Sequence, residues 1–491
     1  MTNLQNLYRR FQKAKNIRSQ WEPVWQDCYT YALPQRNSLF GQQTTPVSQL
    51  FDGTAPDSVD QLAALILSEV TPPWMRWFNL TAGSDLSDLE RTRIAPELEK
   101  ISDTLHTHFD KSNFALEIHQ CYFDLITAGT ACLLFEEAPV GSESAFKFTA
   151  VPLSEIYLDE GPTGRLSNVF RETQLDIDSL LSRFPKINLS PKDLQSARKE
   201  DISFQVIEAV LPTRNGGYDY IAFLNPDSQY DSLNGTDPVL KEAHFVCSPF
   251  ISFRWLKAPG EVYGRSPVMK TLPDIKTANK VVELILKNAS ISVTGIWLAE
   301  DDGVLNPNNI RLVPGAIIPK AVGSKGLTPL EAPGKFDVSQ LMIDDLRKHI
   351  RHALLGDRFG EIDNSKMTAT EVLERSDEMI RILGATYGRL QTELLTPLIE
   401  RAVYILRKRG EIPEIFLDGR LLKIAYKSTR AEKQAQIDAN NALLWLNSVL
   451  KLGEAGLKQI DTAAFIQWLG HQLKVPTEAI RLSTPISEGV A

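Results

Sequence analysis

Nothing in this sequence stays apolar for long enough to cross a bilayer. The best candidate, VVELILKNASISVTGIWLA (281–299), puts Glu283, Lys287 and Asn288 inside the would-be span, and charge at that depth is costly. No membrane partner is expected. Cysteine is scarce as well. Cys28, Cys121, Cys132 and Cys247 are the only four, and they lie in apolar or aromatic text without CxxC spacing. That excludes a disulfide framework and a zinc knuckle and fits a reducing compartment. The N-terminus lacks the uninterrupted apolar run of a secretory signal. Positive charge is outnumbered, 53 Lys and Arg against 61 Asp and Glu for a net −8, so the surface as a whole does not neutralise phosphate.

Catalytic marks are missing too. Phosphate-cradling glycine loops, the zinc-binding helix with paired histidines and the nucleophile elbow are all absent, and no cofactor is implied. Two histidine groupings have ligand-like spacing: His349 and His352 with Asp345 a turn earlier, and His106 and His108 with Asp110. The first, beside Arg347, Lys348 and Arg351, reads as a solvated polar face, and the second as polar groups at a helix end. The acidic runs Glu300, Asp301, Asp302 and Asp344, Asp345 sit in turn or surface text rather than as an acid/base pair. No enzyme is expected.

What is present is a chain of 491 residues, 43% hydrophobic and 23% charged, too long for one compact core. Apolar residues at three- and four-residue steps (Leu7, Phe11, Ile17, Trp21, Trp25, Tyr29) predict one or two helices over 4–32, broken near Glu22 and Pro23. A helix carrying Val59, Leu62, Ala63, Ile66 and Leu67 is expected to be capped by Thr54 or Asp57 and ended by Thr71-Pro72-Pro73. The cluster Trp74, Trp77, Phe78 then reads as core-facing at the entry to an extended segment. Helices are expected at 87–110 and 113–129, the second stopped by Gly129, followed by a strand over Ala131 to Phe135. From 146 to 256 short β-like runs predict an antiparallel sheet, with a hairpin at Asn215-Gly216-Gly217.

The middle of the chain is the most patterned. From Pro267, the residues Val268, Leu272, Ile275, Val282, Leu286, Ala289 and Val293 form one apolar stripe with Asn279 in its single polar slot. About 28 residues at 1.5 Å each predict a rod of roughly 40 Å. A Gly/Pro-rich insert follows. Its short runs Ile296 to Leu298 and Ile317 to Ile318 are expected to pair with another chain. A second helix over 337–355 aligns Val338, Leu341, Met342, Leu346, Ile350 and Leu354. After the polar loop 356–366, Thr368 and Glu371 form a capping box for a helix reaching about 409, kinked at Pro397. Two further helices are expected at 429–451 and 461–474.

Rod, insert, rod and capped helix follow the motifs YGRSP (263–267), LPDIK (272–276) and MTATEV (367–372), with LEIHQCYFDLITAGTACLL (116–134) and the turn FDGTAP before them. In this order they resemble the portal, or head-to-tail connector, proteins of short-tailed bacteriophages. The resemblance implies an α+β, mainly helical, elongated subunit assembled as a ring. Its parts would be a wing (1–255), a stem helix (256–295), a clip (296–336), a second stem helix (337–355), a tunnel loop (356–367), a long kinked wing helix (368–426) and a crown (427–491). It implies a channel at one capsid vertex through which double-stranded DNA is packaged and ejected, in a virion component assembled in the host cytoplasm. The implied partners are the chain itself, in a ring of twelve, viral DNA bound without sequence specificity, the terminase large subunit, tail adaptor and tail proteins, and major capsid and scaffolding proteins. By position, Arg358 and Lys366 would face DNA in the tunnel loop. Trp297, Asn306, Arg311, Lys320 and Lys325 would serve the clip's docking surface. A different head-tail adaptor, or an internal core protein without a channel, remains the alternative. The C-terminal KSTRAEKQAQ departs from the family's usual text.

Overall fold

The structure is a computed structural model that describes residues 4–35, 50–83, 85–161, 164–185, 187, 203–214, 216–226, 238–294, 297–299, 322, 327–329, 336–355, 384, 386–413, 422–426, 429–451 and 462–473. Its elements run α1 (Leu4–Ser19), α2 (Glu22–Ala32), α3 (Thr54–Val70), β1 (Phe78–Ala82), α4 (Asp88–Asp110), α5 (Phe114–Ala128), β2 (Thr130–Glu137), β3 (Phe146–Val151), β4 (Ile156–Asp159), β5 (Asn168–Asp176), α6 (Ile177–Arg183), β6 (Ser203–Pro212), β7 (Tyr218–Leu224), β8 (Val239–Phe245) and β9 (Phe250–Arg254). Then follow α7 (Pro267–Thr294), β10 (Trp297–Ala299), β11 (Leu327–Pro329), α8 (Phe336–Ala353), a π-helical turn (Gln391–Leu395), α9 (Thr396–Arg409), β12 (Leu422–Tyr426), α10 (Thr429–Leu450) and α11 (Thr462–Gln472). The fold is mixed helix and strand. No described helix is long and apolar enough to cross a membrane.

The predicted β region divides into two sheets. Strands β4 to β8 form a five-stranded antiparallel meander, and β2 pairs with both β3 and β9 in a sheet of three. Both faces of the meander are covered, which is why β6 is buried almost continuously, Glu208 included, rather than on alternate residues. One face, with Phe170, Ile207 and Phe223, takes Leu7, Phe11 and Ala14 of α1. The other, with Val169, Val206 and Ala222, packs toward Trp25, Tyr29 and Leu134. The hairpin between β6 and β7 turns through Gly216 and Gly217, both at positive φ. A third core joins α3, α4, α5, the three-stranded sheet, the first half of α7, the end of α8, and α9.

Several helix ends follow their sequence signals. Ser87 and Glu90 make the capping box of α4, and α5 stops at Gly129 in the left-handed conformation. Others do not. Neither Thr54 nor Asp57 caps α3; the Asp52 carboxylate takes the Thr54 amide instead, at 3.0 Å. Trp77 and Phe78 are buried against His106 and Phe109, as an aromatic cluster should be, but Trp74 is 70% exposed. Their extended segment β1 pairs with β12 from the far end of the chain, a partner that no local pattern indicates. Helix α7 runs unbroken through Pro273, whose missing N–H removes one bond of the ladder. Pro397 is accommodated differently. The helix widens just before it, so that the Thr396 amide reaches the Gln391 carbonyl five residues back, and the Thr396 hydroxyl donates to the same carbonyl. The run from Trp297 pairs within the chain, with Leu327–Pro329. The second run, Ile317 to Ile318, and the capping box at Thr368 lie outside the described residues.

Candidate functional site

The sequence-predicted site residues are mostly beyond the described structure. Arg358, Lys366, Asn306, Arg311, Lys320 and Lys325 lie outside it, and of Trp297 only the main chain, in β10, is described. What the structure does bring together is the root from which the two rods α7 and α8 leave the body, and the motif YGRSP builds it.

Each residue of that motif has a physical task. Tyr263 is fully buried, edge-on to Trp25, and its hydroxyl accepts the Leu158 amide at 3.1 Å. Gly264 lies against Gly129 backbone to backbone, with no room for a Cβ on either residue, and its amide donates to Thr130 Oγ1 at 2.8 Å. Arg265 pairs with Glu261 and lies over the ring of Trp21. Ser266 is the N-cap of α7: its hydroxyl donates to the Thr127 carbonyl at 2.9 Å and accepts the Met269 amide at 2.8 Å. Pro267 takes the first helical position, where a missing N–H costs nothing.

Three turns further on, the polar slot of the stripe is occupied by a clasp. Asn279 Oδ1 accepts the amides of Phe51 and Asp52 at 2.6 and 3.1 Å. The Asp52 carboxylate in turn takes Nε and Nη2 of Arg347 on α8, both at 2.8 Å. One turn at the head of α3 thus holds both rods. Arg347, grouped in the sequence with a solvated cationic face, belongs to this clasp; its neighbours Asp345, His349 and His352 are exposed. Burial pushes the Asp52 carboxyl up, but hydrogen bonds from Thr54 and Arg347 outweigh it and hold the group below the usual carboxylate range. The clasp therefore contributes stability that is full above the unfolded carboxyl's value of about 4 and is lost as pH falls through the lower folded value. Asp52→Asn is expected to cost about 1.5–3 kcal/mol at neutral pH. In urea titrations across pH, the gap between variant and natural chain closes as acid protonates Asp52; a gap independent of pH would show that the carboxylate charge is not what holds the rods.

A second buried ion cluster joins the end of β9, ahead of α7, to the turn that precedes α9. Arg254, at the end of β9, is completely buried and makes a two-pronged contact with Glu393 in the π-helical turn, at 3.2 and 2.7 Å. Its remaining donors go to Glu160 and to the carbonyls of Val262 and Gly164. Arg401, also buried, caps two carbonyls, those of Phe135 and Cys247. Sequence reasoning passed over these residues. Asn279 had a signal, a polar residue in an apolar stripe, and so had Arg254, a cation at the end of the apolar run FISFR.

Away from their root the rods expose several apolar side chains. Val268, Ile275 and Ala278 of α7 are buried, whereas Leu284 and Leu286 are more than half exposed. On α8, Ile343 and Ile350 are buried, as is Leu354 just past its end, while Leu341 and Met342 are exposed. Of the stripe predicted along α7, Val268, Leu272 and Ile275 are buried by their own chain, Val282 and Ala289 are half-buried and Leu286 is exposed; the side chain of Val293 lies outside the described residues. Helices α10 and α11 also expose Leu444, Trp445 and Ile466.

Among the described residues the chemistry of a reaction centre does not assemble. No group of three His, Cys, Asp or Glu among the described residues could hold a metal. His106 bonds the Phe78 carbonyl, and His108 pairs with Glu411 at 2.7 Å. Desolvation pushes the Cys28 and Cys132 thiols up to about 12, far from a reactive thiolate.

A family model described as a bacteriophage head to tail connecting protein matches residues 4–480. A probable portal protein of Bordetella phage BPP-1 is 25% identical over 464 residues, covering 89% of this chain and 80% of that protein. The portal protein of Salmonella phage epsilon15 is 25% identical over 458 residues, covering 89% and 81%. The neck of an empty GTA particle, computed with C6 symmetry, aligns with 88% of this chain and 94% of its own at 11% identity and a TM-score of 0.37, and adds no argument. The match extends from the first described helix past the last, and the chain belongs to the bacteriophage head to tail connecting protein family.

Proposed function

We propose that the chain is the portal subunit of a phage particle, a structural component rather than a catalyst, and that copies of it close into a ring around a DNA channel. The observation that carries this reading is the pair α7 and α8: clasped at one end by Asp52, Asn279 and Arg347, bare of apolar cover at the other through Leu284, Leu286, Leu341 and Met342. An exposed apolar stripe on a rigidly rooted rod is what a heterologous interface repeated by rotation would bury. Twelve copies are the expected number. In this reading residues 1–255 and 368–426 form the wing, the rods form the stem, and the insert between them docks the terminase motor and then the tail adaptor. The remaining partners would be capsid and scaffolding proteins at a single vertex of the virion, joined during assembly in the host cytoplasm.

An acidic subunit suits a conduit, because every phosphate neutralised by Lys or Arg adds affinity that a sliding duplex must break. Arg358 and Lys366 would then be local contact points rather than a grip. Electron microscopy of the purified chain is expected to show rings with a central hole. Solid particles, or monomers alone at micromolar concentration, would remove the reading. In particles that do form, Arg358→Ala with Lys366→Ala is expected to lower DNA packaging or retention while leaving ring formation intact; unchanged packaging would end the role assigned to these two residues.

A further inference from the structure

The first helix carries a charge pattern that the stem and channel do not use. In its 16 residues α1 holds Arg9, Arg10, Lys13, Lys15 and Arg18 and no acid. The chain's net charge is −8, so with +5 on this helix the remainder carries −13.

Packing sorts the five cations. Leu7, Phe11 and Ala14 are the stripe that covers the outer face of the five-stranded sheet. Arg18 is buried, donating to Glu22 and to the Ile156 carbonyl, and Lys15 pairs with Glu172 at 3.2 Å. Arg9, Arg10 and Lys13 have no acidic partner among the described residues, and Arg9 and Lys13 are exposed. Those two line a shallow groove of about 490 Å³ with Tyr8, Gln12, Asn16, Ile17 and Gln20.

We propose that this outer face of α1 is a phosphate-contacting surface for duplex DNA, separate from the tunnel loop. Three features favour that occupant over an acidic polypeptide. The groove is furnished by Arg, Lys, Tyr, Asn and Gln, the side chains that bond phosphate oxygens without reading bases. Its aliphatic lining residue, Ile17, is half-buried against the core, and no large hydrophobic residue of α1 is exposed to serve as the anchor of a protein interface. The helix is held rigid by its sheet, so the cations are placed without an ordering cost. Three contacts on one subunit bind weakly; in a ring the stripe recurs on every copy, and weak contacts reinforce one another by avidity. The inference rests on the portal reading only for the presence of DNA and for the ring.

The test uses the full chain and a fluorescent duplex of random sequence, with binding followed by anisotropy over a salt series. The variant Arg9→Gln/Arg10→Gln/Lys13→Gln is compared with Lys100→Gln/Lys111→Gln/Lys147→Gln, which removes the same charge from exposed positions elsewhere. The first is expected to lose about tenfold or more in affinity at low salt and to reduce the slope of log K against log salt by about 2.7, 0.9 for each phosphate contact. The second should change affinity by less than about twofold. Equal losses in the two variants, or an unchanged slope in the first, overturn the proposal. So does a variant that loses binding to polyglutamate while keeping its grip on the duplex, which would make the surface a protein site. Lys13→Glu alone gives the same reading from a single surface change. Mass measurement on each sample separates the two claims. Intact rings with unaltered DNA binding sink this surface and leave the portal reading standing, whereas a natural chain that never forms rings sinks the portal reading.

Discussion

Arg254→Met is expected to lower subunit stability by about 3–5 kcal/mol, the cost of breaking a buried ion pair from one side. The guanidinium is wholly out of solvent and its donors are all assigned: two to Glu393, one to Glu160, and the rest to the carbonyls of Val262 and Gly164. Methionine matches the stem of the arginine but supplies no donor, leaving the nearly buried Glu393 carboxylate with only Arg389 and the Arg254 main-chain amide. Lysine is not a conservative exchange here, because one ammonium cannot reproduce the planar two-pronged contact. Arg254→Met with Glu393→Leu is expected to recover much of the loss, since an apolar pair of similar volume has no charge to strand. Urea denaturation of the three variants measures this. A loss below about 1 kcal/mol for Arg254→Met would mean that water reaches Glu393 and that the cluster is not a buried joint.

That joint matters because of what it connects. Arg254 ends β9, and the chain goes directly from it through YGRSP into α7. Glu393 stands in the widened turn by which the other long helix enters the body. The strand that leads toward α7 and the turn that leads into α9 therefore meet at one carboxylate.

The sequence reveals the rods and not their fastenings, for a physical reason. A helix of 28 residues repeats its apolar positions turn after turn, so the length of α7 is legible from its stripe. The same holds for ends marked by chemistry that acts within four residues: Ser87 with Glu90, Gly129, and the glycines of the β6–β7 turn. Asn279 meets Asp52 across 227 positions and Arg254 meets Glu393 across 139; a single polar contact over such separations leaves no periodic trace. Apolar stripes also do not say which chain covers them. Leu286 belongs to the same stripe as Leu272, yet only Leu272 is buried by its own subunit. Pro397 announced an irregular helix, but whether a proline bends a helix or widens it depends on what holds the next turn, here Thr396 on the Gln391 carbonyl. For the proposed channel and docking residues, position within the family pattern was the only signal.

Gly264→Ala is expected to cost about 3 kcal/mol and to loosen the root of the rods, the second large effect. A Cβ at 264 would fall far inside contact distance of the Gly129 carbonyl and crowd Cβ of Arg254. Both neighbours are fixed, one as main chain closing α5 and the other by its buried ion cluster, so the strain cannot drain into a flexible side chain. Nor can residue 264 move alone: Tyr263 is bonded to the Leu158 amide on one side and Ser266 caps α7 on the other. Gly410→Ala provides the comparison. That glycine ends α9 at φ 73 with nothing within 4 Å of a new Cβ, so its cost is confined to the left-handed backbone, about 1–2 kcal/mol. The two variants separate steric contact from conformational freedom. If denaturation midpoints place Gly264→Ala no lower than Gly410→Ala, the close approach of 264 to 129 is not what demands glycine in the motif. If Gly264→Ala falls well below it and its ring yield drops while Gly410→Ala assembles normally, the body and the rods are joined through that backbone contact.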